Sequence, residues 1–231
     1  RQLRHDRRTI AMIILIPTVL LTLLRYLFDS YPMLFDRVGL IMLGLFPLVI
    51  MFLLTSVAML RERTTGTLER LLTTPIARAD ILFGYGLAFT VAAGVQATVA
   101  SVLAYWLLGL DTLGEQWLVV VIAVANAVLG VALGLFFSAF ASSEFQAVQF
   151  MPAVILPQVL LCGLFVPREA MADWLYALSS VMPMSYAVEA LLEVGSNVEA
   201  TGRMWRDLAI MVGCIMVALA AGAATLRRRT A

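Results

Sequence analysis

The sequence predicts an all-α membrane protein with six transmembrane helices, and three observations predict it. The 231 residues are 62% hydrophobic and only 13% charged, whereas soluble domains carry about 25% charged residues. Six apolar runs reach the roughly 20 residues that a helix needs to cross about 30 Å of hydrocarbon. They are residues 10–28, 38–60, 81–108, 117–141, 145–166 and 207–226. Charge gathers between the runs, above all in residues 61–80.

The first run follows a basic entry segment, RQLRHDRRT, and carries Pro17 early and Arg25 about one turn from its far end. An Arg at that depth can snorkel to the interface, which suits a structural role. The run exceeds the apolar stretch of a signal peptide and no small-residue cleavage site follows it, so no cleavable signal is expected. The chain opens on Arg1 and not on Met, so further residues are expected to precede it.

The fourth run contains Gly130 and Gly134 and the sixth contains Ala218 and Gly222. Such small-xxx-small pairs suit close packing within the chain. ASSEF, residues 141–145, is a tight polar turn, because Glu144 would be costly at mid-bilayer. The fifth run holds Pro152 and Pro157, which a membrane helix tolerates with a kink.

Residues 167–200 are too apolar for a plain loop and too interrupted for two further crossings. Trp174, Leu175, Leu178, Val181 and Met182 recur at helical spacing, as do Tyr186, Ala190, Leu191 and Val194 after Pro183. Two short helices, lying in the interface or re-entering it, are predicted there. Gly195 is expected to end the second.

Arginine counting gives an orientation. With the N-terminus inside, the inner segments hold eleven arginines and the outer segments four: Arg37, Arg168, Arg203 and Arg206. The positive-inside rule then places both termini in the cytoplasm. Burying the seven ionisable residues of LRERTTGTLERLLTTPIARAD (60–80) would cost on the order of 20 kcal/mol at about 3 kcal/mol each. That connection is therefore expected in the cytoplasm. It places Leu68, Leu71 and Leu72 on one helical face and Glu69 and Arg70 on another. Gly66 allows a bend, and Thr74-Pro75 reads as a stop and restart.

Composition also excludes chemistries. There is no Lys, hence no P-loop and no Schiff base. His5 is the only histidine, and it lies in the basic entry segment, where it cannot build a metal site or an intramembrane protease. Cys162 and Cys214 lie in apolar runs and read as small apolar side chains. Thr55, Ser56, Gln96, Thr98, Ser101, Asn126, Gln146, Gln149 and Gln158 lie within spans and read chiefly as interhelical glue, worth about 0.6 kcal/mol each. An ion-coupled secondary transporter, the alternative reading, would want carboxylates or histidines near mid-membrane, and none falls there.

RERTTGTLERLLTTPIARADILFGYGLA resembles the signature that follows the second span in ATP-binding cassette type-2 (ABC-2) exporter permeases, of the daunorubicin-resistance and nodulation-export kind. Glu62, Arg63, Gly66, Thr67, Leu68, Glu69, Leu71, Thr74, Pro75 and Arg78 carry the match. The family's usual Lys shortly after the Arg78 position is absent. The basic entry with Pro17 is similar to that family, as is the outer segment with Pro167, Trp174, Pro183, Tyr186 and Glu189 in order. The resemblance covers nearly all of residues 1–231 and implies one transmembrane domain, with a coupling helix between spans two and three that rests on a separate ATPase subunit. It implies that Arg61, Glu62, Arg63, Gly66, Leu68, Glu69, Arg70, Leu71, Leu72, Pro75 and Arg78 form the coupling element. It places a substrate path between the second and fifth spans of two protomers, with Phe46, Phe52, Thr55, Gln149, Phe150, Val154 and Gln158 as candidate lining residues.

On that resemblance the chain itself has no catalytic or metal site and no cofactor; ATP and Mg are expected on two copies of the partner ATPase. The permease is expected as a homodimer, or a heterodimer with a related permease, in a bacterial cytoplasmic membrane, with no nucleic-acid partner. Its expected work is efflux of a hydrophobic or amphiphilic substrate, a drug, antibiotic or lipid.

Overall fold

The structure, a computed structural model, describes residues 7–64 and 78–227. The described residues form helices and no strands. In chain order they are α1 (Arg7–Leu27), α2 (Pro32–Thr64), α3 (Arg78–Trp106), α4 (Gln116–Ser138) and α5 (Glu144–Leu161). A 3₁₀ turn (Arg168–Ala170), α6 (Asp173–Ser179), α7 (Pro183–Ser196) and α8 (Gly202–Arg227) follow.

Five helices, α2, α3, α4, α5 and α8, are long and apolar enough to cross a membrane. The apolar part of α1, Ile13–Leu27, is shorter, although all 21 residues of that helix would span about 31 Å at 1.5 Å per residue. α6 and α7 meet at 89°, so the pair forms one sharply bent unit. Apolar composition explains these helices better than intrinsic propensity does. In a hydrocarbon solvent every backbone N–H and C=O must bond within its own segment.

α4 is the centre. Two thirds of its apolar stretch is buried, 67%, against 17% for α8, and α2, α3, α8 and α7 all pack on it. Small residues permit this. A Cβ on Gly130 would fall on the Leu48 carbonyl oxygen of α2, and one on Gly134 would come within 2.7 Å of the Phe52 oxygen. A Cβ on Gly222 of α8 would come within 3.6 Å of the Phe136 backbone. Between α4 and α2 the buried Asn126 side chain donates from Nδ2 to the Gly44 carbonyl at 2.8 Å. Both small-residue pairs thus serve packing within the chain.

α1 leans on α2 and α3. Arg25 holds the far end of that contact, donating from Nε to the Leu108 carbonyl at 3.0 Å and stacking over the Phe35 ring of α2 at 5.5 Å.

Several boundaries differ from expectation for local reasons. α2 begins at Pro32, a residue suited to a first helical turn, and continues through Arg61–Thr64, so it exceeds 38–60 at both ends and reaches 33 residues with Pro47 inside. α5 stops at Leu161 and does not reach residue 166, because the chain turns at Gly163 with φ +94°, a region open chiefly to glycine. α7 ends at Ser196, so Gly195 lies within it. There the absence of a side chain lets Leu40 approach, its Cδ1 within 2.7 Å of where a Cβ would sit. α7 buries Met184, Val188, Leu191 and Val194 against the bundle, whereas α6 leaves Trp174, Tyr176 and Leu178 exposed.

Candidate functional site

The last turn of α2 is the root of the charged connection, and its side chains reach three other helices. Arg61 forms a two-point pair with Glu144 at the start of α5, from Nε to Oε1 at 2.6 Å and from Nη2 to Oε2 at 3.0 Å. The fork of an Arg fits a carboxylate in this way. Glu144 follows the N-cap Ser143, whose hydroxyl accepts from the Gln146 N–H at 3.2 Å, so the carboxylate also stands at the positive end of a helix dipole. The Glu62 carboxylate lies near Tyr85 of α3. Arg63 donates to the Ser138 carbonyl at the end of α4, at 3.3 Å. One helical turn therefore ties the end of α2 to the same-side ends of α4 and α5 and stands beside α3.

Of the predicted coupling residues, Arg61, Glu62 and Arg63 are thus brought to one place, Arg61 and Arg63 with partners inside this chain and Glu62 near Tyr85. Gly66, Leu68, Glu69, Arg70, Leu71, Leu72 and Pro75 lie outside the described residues, and so does the coupling helix they were expected to form. Arg78 opens α3. Sequence reasoning missed Glu144, Tyr85 and Ser138 as neighbours. The signal for Glu144 was present, since it is the one carboxylate in a connection that Arg counting puts on the same side as Arg61.

The seven candidate path residues fall into three groups. Gln149 is exposed on α5. Phe46, Phe150 and Val154 are half-buried, with the Phe150 ring 5.9 Å from Phe137 of α4. Phe52, Thr55 and Gln158 are buried within this one chain. Phe52 sits 6.0 Å from the Phe137 ring, and Thr55 faces Gly134. Gln158 ties α5 to α7 by accepting the Met184 N–H at 3.3 Å. In this conformation those three side chains face protein. The sequence could not separate the groups because it does not fix how a helix is rotated.

At the opposite end of the bundle Arg168 organises the bent unit. It is 5% exposed, pairs through Nη1 with Glu189 of α7 and donates to the Ser179 and Ser180 hydroxyls at 2.9 and 3.0 Å. Its guanidinium also lies over the Tyr176 and Tyr186 rings at 5.3 and 5.6 Å. Burial pushes the Glu189 carboxyl above its ordinary range, and the Arg168 charge opposes that rise. Arg168 was read from sequence only as an outer charge; two opposite charges in so apolar a segment were the hint that they pair. Among the described residues no group of three His, Cys, Asp or Glu side chains converges as a metal site would require.

Comparison with known proteins gives one family. The ABC-2 type transporter profile matches residues 1–194. The chain is similar to the protein named ABC transporter G family member 20 of Dictyostelium discoideum, 28% identical over 141 residues, which is 61% of this chain and 19% of that one. It is similar to the probable multidrug ABC transporter permease YbhR of Escherichia coli (strain K12), 26% identical over 156 residues, 68% of this chain and 42% of YbhR. A third relative is the linearmycin resistance permease protein LnrN of Bacillus subtilis (strain 168), 24% identical over 168 residues, 73% of this chain and 43% of LnrN. The matched segments thus cover less than half the length of each of these curated relatives.

Proposed function

The chain belongs to the ABC-2 type transporter family and is a multi-pass membrane protein; from that premise we propose that it is the permease subunit of an ABC exporter. It carries the translocation path, and ATP hydrolysis, with its Mg, takes place on a separate ATPase present in two copies. The observation that carries this reading is the root of the charged connection. One turn at the end of α2 grips α4 and α5 through Arg63 and Arg61 and stands beside α3 at Glu62. A partner resting on residues 65–77 would therefore act on four helices through one turn. Leu68, Leu71 and Leu72 would supply the apolar contact, and Glu69, Arg70 and Arg78 charge-assisted bonds that set register.

The substrate is hydrophobic or amphiphilic, a drug, antibiotic or lipid; the names of YbhR and LnrN, a multidrug and a linearmycin resistance permease, support the drug reading. Two protomers, identical or related, enclose the path, with exposed Gln149 and half-buried Phe46, Phe150 and Val154 as the side chains nearest to it. Arginine placement supports a bacterial cytoplasmic membrane with both termini inside.

The test is co-purification. Leu71→Asp is expected to abolish recovery of the ATPase with the permease while leaving membrane insertion and yield unchanged. Full recovery of the ATPase with that variant would remove the connection from the coupling role.

A further inference from the structure

A cavity of about 280 Å³ lies at the end of the bundle opposite the last turn of α2, among the starts of α2 and α8, the turn after α5, and α7. Four guanidinium groups line it, those of Arg37, Arg168, Arg203 and Arg206, together with the carboxylates of Glu169, Glu189 and Glu193. So many charges around one space are out of proportion in a chain only 13% charged. Most of them are matched within the chain. Arg168 pairs with Glu189, Arg203 with Glu193 at 3.6 Å, and Arg206 with the buried Asp207 at 2.8 Å. Two lining charges of opposite sign are left over. Arg37 and Glu169 are exposed, and among the described residues neither has an ion-pair partner.

We propose that this cavity binds the headgroup of a zwitterionic amphiphile, its phosphate on Arg37 and its ammonium on Glu169. The fork of Arg37 suits a phosphate, and Glu169 offers a carboxylate to a cation. A ligand of a single sign would meet one of the two and be opposed by the other, so a dipolar headgroup is preferred through mismatch as much as through attraction. Size agrees. The space falls just below the roughly 300 Å³ at which drug-sized pockets begin, enough for a headgroup without its chains. The chains have a surface beside it. α6 adjoins the cavity through Tyr176, and Trp174, Leu178 and the following Val181 are exposed there at 69%, 42% and 78%. An exposed Trp among aliphatic residues is the composition of a bilayer interface.

The experiment is calorimetric titration of the full chain in maltoside micelles with dihexanoylphosphatidylethanolamine, dihexanoylphosphatidic acid and inorganic phosphate. The ethanolamine lipid is expected to bind about tenfold more tightly than either anion, a difference of about 1.4 kcal/mol. Arg37→Gln should weaken it about tenfold. Glu169→Gln should weaken it similarly while leaving phosphatidic acid unweakened, which erases the preference. Both positions are exposed, and size-exclusion profiles matching the parent certify the fold of each variant. Absence of binding, equal affinity for the ethanolamine lipid and phosphatidic acid, or an unchanged affinity in either variant would overturn the proposal. The titration needs neither an ATPase nor transport, so its failure and the failure of the exporter reading are distinguishable.

Discussion

At one end of the bundle Arg61 meets Glu144 in the open, their side chains 64% and 51% exposed. At the other end Arg168 meets Glu189 with 5% and 25% exposure, surrounded by two serines and two tyrosines. The two pairs share chemistry and differ in solvent. In the open, water and salt screen the attraction, so an ion pair fixes geometry more than it adds stability. Inside protein, both charges have lost hydration, and each depends on the other to offset that loss. The exposed pair can part and re-form; the buried one is committed. Under the proposed exporter reading, an end that transmits movement and an end that anchors a bent unit would call for these opposite behaviours.

The largest effect should come from breaking the buried pair. Arg168→Met is expected to cost about 3–5 kcal/mol, because Glu189 is left half-buried without its counter-charge. The loss is read as a fall in the unfolding midpoint of the detergent-solubilised chain. Adding Glu189→Leu should recover most of it, since the uncompensated charge then disappears. If the single variant melts like the parent, the contrast between the two ends is wrong.

Next is the packing between the ends. Gly130→Ala forces a Cβ onto the Leu48 carbonyl oxygen and is expected to cost about 1–3 kcal/mol. Gly213→Ala, where no atom lies within 4 Å of the added Cβ, should be neutral or stabilising by up to about 1 kcal/mol through helix propensity. Thermal melts of the two variants measured side by side would check both signs.

The smallest effect on stability belongs to Arg61→Glu, which should leave the midpoint close to the parent value in moderate salt. Its consequence should appear in function. ATP-driven transport is expected to fall in Arg61→Glu and to return in the double exchange Arg61→Glu with Glu144→Arg. No recovery in the double exchange would mean that the pair does not link α2 to α5 during the cycle.

Much of this architecture is written in the sequence, because a bilayer leaves a chain few options. Apolar length located the long helices, and polar breaks located turns to within a few residues. The errors came where local conformation outranked composition. Residues 162–166 are as apolar as the helix before them, yet the turn at Gly163 removes them from it. Gly195 looked like a helix stop, but Leu40 of α2 needs its empty space, a demand that only tertiary packing makes. The candidate site was legible in part. Charge density identified the root turn, whereas its neighbours Glu144, Tyr85 and Ser138 come from three separate helices, and no local pattern brings them together. Facing direction was the least legible property. Thr55 and Gln149 are both polar residues within spans, and only the fold places one inside the protomer and the other on its surface.

α2 has 33 residues, a rod of about 50 Å, whereas the hydrocarbon layer is about 30 Å thick. Such a rod must stand proud of the lipid, and its charged last turn can be grasped well clear of the acyl chains. Pro47 lies one residue short of its midpoint, sixteenth of the 33 positions, where the missing N–H weakens the helix. On either side of that weak point the rod is held against α4, by Gly44 to Asn126 and by Leu48 to Gly130. Under the proposed exporter reading α2 would act as a lever pinned to α4 near its middle, and a push at the root on one arm would become a swing at the far end of the other.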